Sequence, residues 1–262
     1  MTKKRLEHNV GPGSNGPEKK SVKVLAPATI ANIVCGFDVL GMALNNPQDV
    51  MELSISDEPG IRIIHRDMYN LPTIPEQNVA GVSLLELMQE LDGSYGFDLI
   101  IEKNIKPGSG LGSSAASAAG AVAAANELLG NIFSKEDLVR FAMAGEKLAS
   151  GVKHADNISP GIYGGITLIR SIFPLDIVSL QAPPMFVTVV HPQIEVKKKS
   201  VEAGALGGGI SGSGPSIFML CEKEKTAVQV EAIMKEIYNS TGLNYYTYVT
   251  TINNEGIRFA EM

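Results

Sequence analysis

The stretch "IEKNIKPGSGLGSSAASAAGAVAAANELLG", residues 101–130, combines residue types that suit the binding of an anion. Gly108, Gly110 and Gly112 alternate in a short polar loop, and glycine lets a backbone approach a ligand closely. Two serines follow, and then a run of alanines that favours a helix. The unpaired N–H groups and the positive dipole end of such a helix would face a phosphate. The alternative is a turn that only joins a strand to a helix.

This loop matches neither of two common nucleotide-binding patterns. No Gly-Lys-Ser/Thr closes it, which excludes a Walker A loop, and its glycine spacing differs from that of a dinucleotide fingerprint. Ser113 and Ser114 nevertheless add hydroxyl groups at the start of the helix. If the loop binds a nucleotide, one of these hydroxyls is placed to reach a Mg²⁺ ion that bridges phosphates.

Glu146 is a second candidate, near the C-terminal end of a predicted helix. A carboxylate at this end of a helix is unfavourable with the dipole, which makes a solvent-facing role beside Lys147 only one of two interpretations. The other is that Glu146 supplies the hard oxygen ligand that a Mg²⁺ site beside the phosphate loop requires.

Two polar clusters complete the candidates. "HADN" contains His154, Asp156 and Asn157, which offer a base and several hydrogen-bonding groups in a glycine-rich loop. Asn32 and Asp38 interrupt the apolar stretch "ATIANIVCGFDVLG". Because buried polar groups need partners, these two residues either cap turns or bind a ligand.

Alternating apolar residues and turn signals predict the elements that must position these groups. We predict strands at 21–26, 50–56, 60–64, 97–102, 166–172, 185–190, 216–220 and 245–251, and helices at 78–91, 113–129, 134–150 and 225–239. The strand at 60–64 is expected to pair with 50–56, and residues 151–165 are expected to form a loop. Caps are predicted at Asn78 and at Ser134 with Asp137. The predicted apolar helix faces are Val82, Leu85, Met88 and Leu91, and Leu138, Phe141, Ala142, Gly145 and Leu148.

The composition is that of a globular protein: 262 residues, 44% hydrophobic, with a net charge of −6. The charge gives no reason to expect a nucleic-acid partner, and no apolar run is long enough to predict a membrane span. Residues 1–20 are interpreted as a flexible tail without the apolar core of a signal peptide. With only two cysteines, Cys35 and Cys221, a reducing compartment and hence the cytoplasm are expected. A homodimer through the second half of the chain is left open.

Several of these stretches together resemble the GHMP family of small-molecule kinases. "KPGSGLGSSAA" is similar to the family's phosphate-binding motif, and "GGGISGSGPS" to its C-terminal glycine motif. "APATIANIVCGFDVLGMAL", "HADNISPGIYGG" and "HPQIEVK" look like the homoserine kinases of this family. The resemblance implies an α+β fold of two domains. Residues 21–174 would form an ATP-binding domain similar to domain 2 of ribosomal protein S5, and residues 175–262 a ferredoxin-like domain.

The resemblance also implies a reaction, in which the γ-phosphoryl group of ATP moves to the side-chain hydroxyl of L-homoserine, giving O-phosphohomoserine for threonine synthesis. ATP and Mg²⁺ are therefore the expected cofactors. The implied phosphate-binding residues are Lys106, Pro107, Gly108, Ser109, Gly110, Leu111, Gly112, Ser113 and Ser114. Ser114 and Glu146 match positions that hold Mg²⁺. Asn32, Asp38, His154 and Gly212 are the implied homoserine-binding residues.

Asp156, His154 and Asn157 are the implied catalytic residues, and Asp156 matches an aspartate proposed as the base in mevalonate kinases. A base is not essential, because phosphoryl transfer depends mainly on positioning and charge stabilisation. Another GHMP kinase, of the mevalonate or diphosphocytidyl-methylerythritol type, is one alternative, and a non-catalytic metabolite-binding relative is a second. Asp38 favours an acceptor that carries an ammonium group, and the Ser114 and Glu146 pair favours a catalyst.

The chain departs from the homoserine kinase pattern after "HPQIEVK". Homoserine kinases usually continue with a threonine and an arginine, and then with a helical region containing another arginine; these arginines are expected to hold the substrate carboxylate and the γ-phosphate. Here Ser200 runs directly into Val201. A ferredoxin-like domain needs two helices, and we predict only one, so a segment on the order of fifty residues is predicted to be absent between Ser200 and Val201.

Overall fold

The structure, a computed structural model, describes residues 21–33, 36–91, 95–191 and 197–261. The predicted tail at 1–20, Cys35 and residues 192–196 of the "HPQIEVK" motif lie outside these ranges. Among the described residues, no helix is both long and apolar enough to cross a membrane.

A seven-stranded sheet forms the larger part of the fold. Its path runs β11-β1-β2-β4-β3, while β5 pairs with the beginning of β2, and β6 pairs with β5. The strands are β1 (Ser21–Ala31), β2 (Leu40–Ser56), β3 (Gly60–His65), β4 (Gly96–Glu102), β5 (Ile166–Ile172), β6 (Leu175–Leu180) and β11 (Arg258–Ala260).

Two expectations about this sheet are wrong. The strand β3 does not pair with β2; it lies parallel to β4, which separates the two strands. The reason is that helix α1 (Val79–Met88) carries the chain from β3 to β4 as a crossover, which produces parallel neighbours. The strand β1 also continues beyond Pro27 to Ala31, because the register shifts between Pro27 and Thr29 and a proline without an N–H group is tolerated at such an irregularity.

The predicted helices of this half are confirmed as α1, α2 (Ser113–Leu128) and α3 (Lys135–Ser150), which pack on one another. Both predicted caps are confirmed: the Asn78 side chain accepts from two amides of α1, and Ser134 and Asp137 form a capping box on α3. Small residues let α2 lie close to the sheet, since a Cβ atom at Gly120 would come within 2.5 Å of the Met51 sulfur in β2.

The predicted apolar faces need two corrections. The buried face of α1 and the turn after it contains Ala80, Leu84, Leu87 and Leu91, whereas Val82, Leu85 and Met88 are only partly buried, because α1 is apolar around most of its circumference. Leu148 is 45% exposed, because the last turn of α3 extends beyond the core. A short helix, α4 (Ile158–Tyr163), lies in the stretch predicted as a loop, with Pro160 in its first turn, where proline is tolerated.

The second sheet has the strand order β10-β7-β9-β8, with neighbours antiparallel. Its strands are β7 (Phe186–His191), β8 (Gly207–Ile210), β9 (Ile217–Cys221) and β10 (Tyr246–Thr251), and its helices are α5 (Lys197–Glu202) and α6 (Glu224–Asn239). The chain order β7-α5-β8-β9-α6-β10 is the ferredoxin-like pattern. The expectation of a single helix is therefore wrong, because six residues suffice for the crossover helix α5.

Ser200 and Val201 are consecutive residues of α5, and the amide of Ala205 donates to the Ser200 carbonyl at 3.1 Å. The chain therefore passes from β7 to β8 through one short helix. The absence of a family segment at this point stays a prediction.

The last described residues return to the first sheet. The Asn253 amide donates to the Ala43 carbonyl at 2.8 Å, and β11 pairs with β1. Because β6 also belongs to this sheet, strand pairing does not divide the chain at Pro174, where the predicted domain boundary lies. The two sheets consequently face each other across a cleft that both termini of the second half connect.

Candidate active site

The glycine-rich loop between β4 and α2 forms one wall of the cleft. Gly108, Gly110 and Gly112 have φ angles of +73°, +77° and +65°, a region in which other residues are strained. A Cβ atom on Gly112 would lie 2.0 Å from the Thr29 hydroxyl oxygen. No side chain caps α2, so the first amides of this helix remain available for an anion.

A cavity of about 500 Å³ opens beside this loop. Its lining includes Pro107, Gly108, Ser114, Glu146 and Gly212. The loop, helix α3 and the second sheet all contribute to it, and its volume lies in the range of small-molecule sites. The structure therefore brings both glycine motifs and the predicted metal ligands to one cavity.

Direct hydrogen bonds connect the two glycine motifs. The Ser211 hydroxyl donates to the Gly110 carbonyl at 2.5 Å, and the Ser216 hydroxyl donates to the Ser109 carbonyl at 2.6 Å. The Gly212 amide donates to the Ala31 carbonyl at 3.2 Å. The second sheet therefore holds the loop in place from the opposite side of the cleft.

Ser114 and Glu146 meet inside this cavity, where the Ser114 hydroxyl donates to a Glu146 carboxylate oxygen at 2.9 Å. Burial raises the pKa of Glu146, and the neighbouring Asp156 charge adds to this rise, while the Ser114 hydrogen bond and His154 oppose it. A hydroxyl and a carboxylate are hard oxygen ligands, so the pair fits Mg²⁺, which takes few protein ligands and completes its shell with water and phosphate oxygens. The described residues contain no group of three His, Cys, Asp or Glu side chains suited to a metal.

The "HADN" residues lie next to this pair. Asp156 is 4% exposed, and burial raises its pKa; the charge of Asp38 raises it further, while His154 lowers it. The Asn157 amide donates to the Asp156 carboxylate at 3.0 Å. The Asn157 side-chain carbonyl accepts from Thr29 at 2.8 Å, which ties α4 to β1 below the loop.

Asn32 and Asp38 form a tight turn at the other end of the cleft. Both have positive φ angles, +58° and +57°, and the Asp38 amide donates to the Asn32 side-chain oxygen at 2.8 Å. The Asp38 side chain is 60% exposed, and one of its oxygens lies 3.6 Å from His154 Nδ1. Asn32 and Gly212 line a smaller cavity of about 280 Å³.

Not all predicted phosphate-loop residues present a side chain to the cavity. Ser109 and Leu111 are each 2% exposed, and the Ser113 hydroxyl donates to the Ile105 carbonyl at 2.8 Å. The Lys106 ammonium lies over the ring of Tyr246, 5.3 Å from its centroid. A phosphate would therefore contact Ser109 and Leu111 through the backbone alone.

Sequence reasoning missed Asp49, Lys103, Ser117 and Thr29. Lys103 and Ser117 line the main cavity, and Asp49 contacts Lys103 behind it. The only sequence signal was a lysine directly after an apolar strand, which is ordinarily a solvent-facing position. Thr29 gave no signal, because it lies beyond the predicted end of β1.

Comparisons with known proteins agree with this geometry. The family models "GHMP kinases N terminal domain" and "GHMP kinases C terminal" match residues 78–165 and 177–240. A homoserine kinase of Chlorobium phaeobacteroides is 33% identical over 317 residues, covering 91% of this chain and 99% of that protein. A homoserine kinase of Methanococcus vannielii is 42% identical over 183 residues, covering 69% of this chain and 60% of that protein.

The relatives are longer than this chain. Since 91% of 262 residues is about 238, about 79 of the 317 positions aligned with the Chlorobium protein have no counterpart here. This difference is compatible in size with the segment predicted to be absent, although the comparison does not say where those positions lie.

Solved structures give the same grouping. The crystal structure of homoserine kinase from Cytophaga hutchinsonii has a TM-score of 0.86 and 35% identity, and covers 95% of this chain and 100% of that one. A mevalonate kinase of L. major, at 14% identity and a TM-score of 0.71 over 92% of this chain and 99% of that one, shares the fold. The matched family models and the full-length similarity together show that this chain belongs to the GHMP kinase family, in the group that contains the homoserine kinases.

Proposed function

We propose that this protein is an ATP-dependent homoserine kinase, which transfers the γ-phosphoryl group of ATP to the side-chain hydroxyl of L-homoserine and releases O-phospho-L-homoserine for threonine biosynthesis. The observation that carries the proposal is the Ser114–Glu146 contact at 2.9 Å, directly beside the uncapped N-terminus of α2. Similarity to homoserine kinases over most of the chain supports it.

The phosphates of ATP would lie along the backbone of residues 108–114, where amides at the start of α2 stabilise their charge. Ser114 and Glu146 would hold Mg²⁺, which neutralises charge on the phosphates when it is bound. Ser211 and Ser216 fix the loop through its carbonyl groups, so its amides stay directed toward the cavity.

The acceptor would bind at the Asn32 and Asp38 end of the cleft. The exposed Asp38 carboxylate suits an ammonium group, and His154 lies beside it at 3.6 Å. Asn32 and Gly212 offer an amide side chain and a backbone for the acceptor's other polar groups. No arginine of the described residues lines either cavity, so we expect the ammonium group to carry most of the acceptor's recognition.

Asp156 would accept the hydroxyl proton late in the transfer. Its raised pKa moves it toward the range in which a carboxylate works as a base near neutral pH. The Asn157 amide and the Thr29 to Asn157 hydrogen bond hold it in position. Most of the acceleration would still come from positioning and charge stabilisation. We keep the cytoplasm as the expected compartment, because Cys221 is a buried free thiol.

The test is an acceptor screen that measures Mg²⁺-dependent release of ADP. L-homoserine should give turnover, whereas mevalonate and galactose should not. Turnover with mevalonate instead would identify a different GHMP kinase, and binding of homoserine without turnover would indicate a metabolite-binding protein. Including 4-hydroxybutanoate, which is homoserine without its amine, tests the role given to Asp38.

A further inference from the structure

A buried ion pair joins both ends of the glycine-rich loop. Asp49 in β2 is fully buried, and the side chain of Lys103, directly after β4, is 2% exposed. The Lys103 ammonium contacts the Asp49 carboxylate. We name Asp49 and Lys103 together the ionic clip.

Each partner of the ionic clip anchors a different end of the loop. The second oxygen of Asp49 accepts from the amides of Asn104 and Ile105, both at 2.8 Å, where the chain enters the loop. Lys103 donates to the Ser113 carbonyl at 2.7 Å and to the Ser117 hydroxyl at 2.8 Å, where the loop becomes α2. The seven residues 106–112 therefore span two points that one charge pair holds together.

The position of these bonds gives the ionic clip a consequence for the site. The Ser113 carbonyl belongs to the same peptide group as the Ser114 amide, so Lys103 fixes the plane of the peptide that leads into Ser114. Ser114 in turn contacts Glu146. Three glycines with positive φ make the loop costly to order, and a fixed pair of ends reduces what remains to be ordered when phosphates bind.

We propose that Asp49 and Lys103 are positioning residues for the nucleotide: the ionic clip preorganises the loop and orients Ser114, without contacting the acceptor. This inference rests on the proposed kinase function for its effect on ATP, but its effect on the loop itself does not. A buried pair that serves only the stability of the fold would affect neither the loop nor nucleotide binding once the charges were removed together.

The test is the double variant Asp49→Asn/Lys103→Met, which removes both charges with little change of shape. The Asp49→Asn change keeps an oxygen for the two amides, so the anchor at Ser113 is the main loss. The matched control is Arg170→Met/Asp176→Asn, which removes an exposed pair with a 2.9 Å contact between β5 and β6. Asp49→Asn alone is the second variant, in case the double variant does not fold.

We expect amide hydrogen exchange of residues 105–114 in the ligand-free double variant to be at least about tenfold faster than in the parent and in the control. The MgADP dissociation constant, measured by calorimetry, should rise about 10- to 100-fold, the usual effect of losing an outer supporting contact, while the Michaelis constant for homoserine stays within about twofold. Unchanged exchange and unchanged MgADP binding in a folded variant would overturn the proposal. A parent that binds no MgADP would defeat the kinase function, and the exchange measurement would still decide on the ionic clip.

Discussion

Replacing Glu146 with glutamine separates a catalytic role of this residue from a structural one. Glutamine is nearly isosteric and its carbonyl oxygen can still accept the hydrogen bond from Ser114, which measures 2.9 Å in the parent. What Glu146→Gln removes is the negative charge at the predicted metal position. We therefore expect the fold to persist and turnover to fall.

The size of the effect follows from the surroundings of Glu146. A charge that acts on phosphoryl oxygens in a partly closed cavity is comparable to one preorganised transition-state contact, so turnover should fall about 100- to 1000-fold, or about 2.7–4 kcal/mol. Stability should change in the opposite direction. Because burial raises the pKa of Glu146 above 4.5, the stability of its protonated form is lost as the pH rises through that raised value. Glutamine avoids this loss, so at pH 7 the variant should gain about 0.5–2 kcal/mol in its free energy of unfolding.

The assay is Mg²⁺-dependent ADP release with L-homoserine, read together with urea denaturation at pH 7. Glu236→Gln, on the exposed side of α6, is the matched control and should change neither quantity. Turnover of the Glu146 variant within about threefold of the parent would refute the metal-binding role, since the loss of such a contact costs far more. Lower stability together with lower turnover would indicate that Glu146 supports the fold instead.

Three further predictions address the acceptor, the loop and the titration of the site. Asp38→Asn should weaken homoserine binding by about 1.5–3 kcal/mol and leave the Michaelis constant for ATP unchanged; equal weakening of both would assign Asp38 to the fold. Gly112→Ala should lower the free energy of unfolding by more than about 2 kcal/mol, because its φ is +65° and the new Cβ atom would clash with Thr29, whereas Gly130→Ala, with φ +79° and open space, should cost only about 1–2 kcal/mol in urea denaturation. Asp156→Asn should gain stability relative to the parent as the pH rises above 3.8, because burial raises the pKa of Asp156 and its ionised form is the less stable one; a constant difference between pH 4 and pH 7 would contradict this.

The elements with strong local signals were predictable. The helices α2 and α3, the caps at Asn78 and Ser134, and the strand β4 follow from residue spacing and capping chemistry that act within a few residues. The contact of Ser114 with Glu146 was expected from the family resemblance, and the structure brings the two side chains together.

The remaining features depend on partners distant in sequence. β8 consists largely of glycine and exists because β9 supplies its hydrogen bonds, and β3 lies beside β4 because of a crossover that no local pattern reveals. The role of Lys103 is the clearest case. A lysine at the end of a strand predicts a solvent-facing side chain, and only the sheet places Asp49, 54 positions away, where it can neutralise a buried ammonium group.

The most direct test of the central claim is the product of the reaction. The purified protein would be incubated with ATP, Mg²⁺ and L-homoserine, and the mixture would be analysed by mass spectrometry for phosphorylated homoserine, with a parallel sample in which a chelator removes the metal. The account predicts O-phospho-L-homoserine and an equal amount of ADP in the first sample, and neither in the second. ADP without phosphorylated homoserine, or no consumption of ATP by a folded protein that binds homoserine, would contradict it.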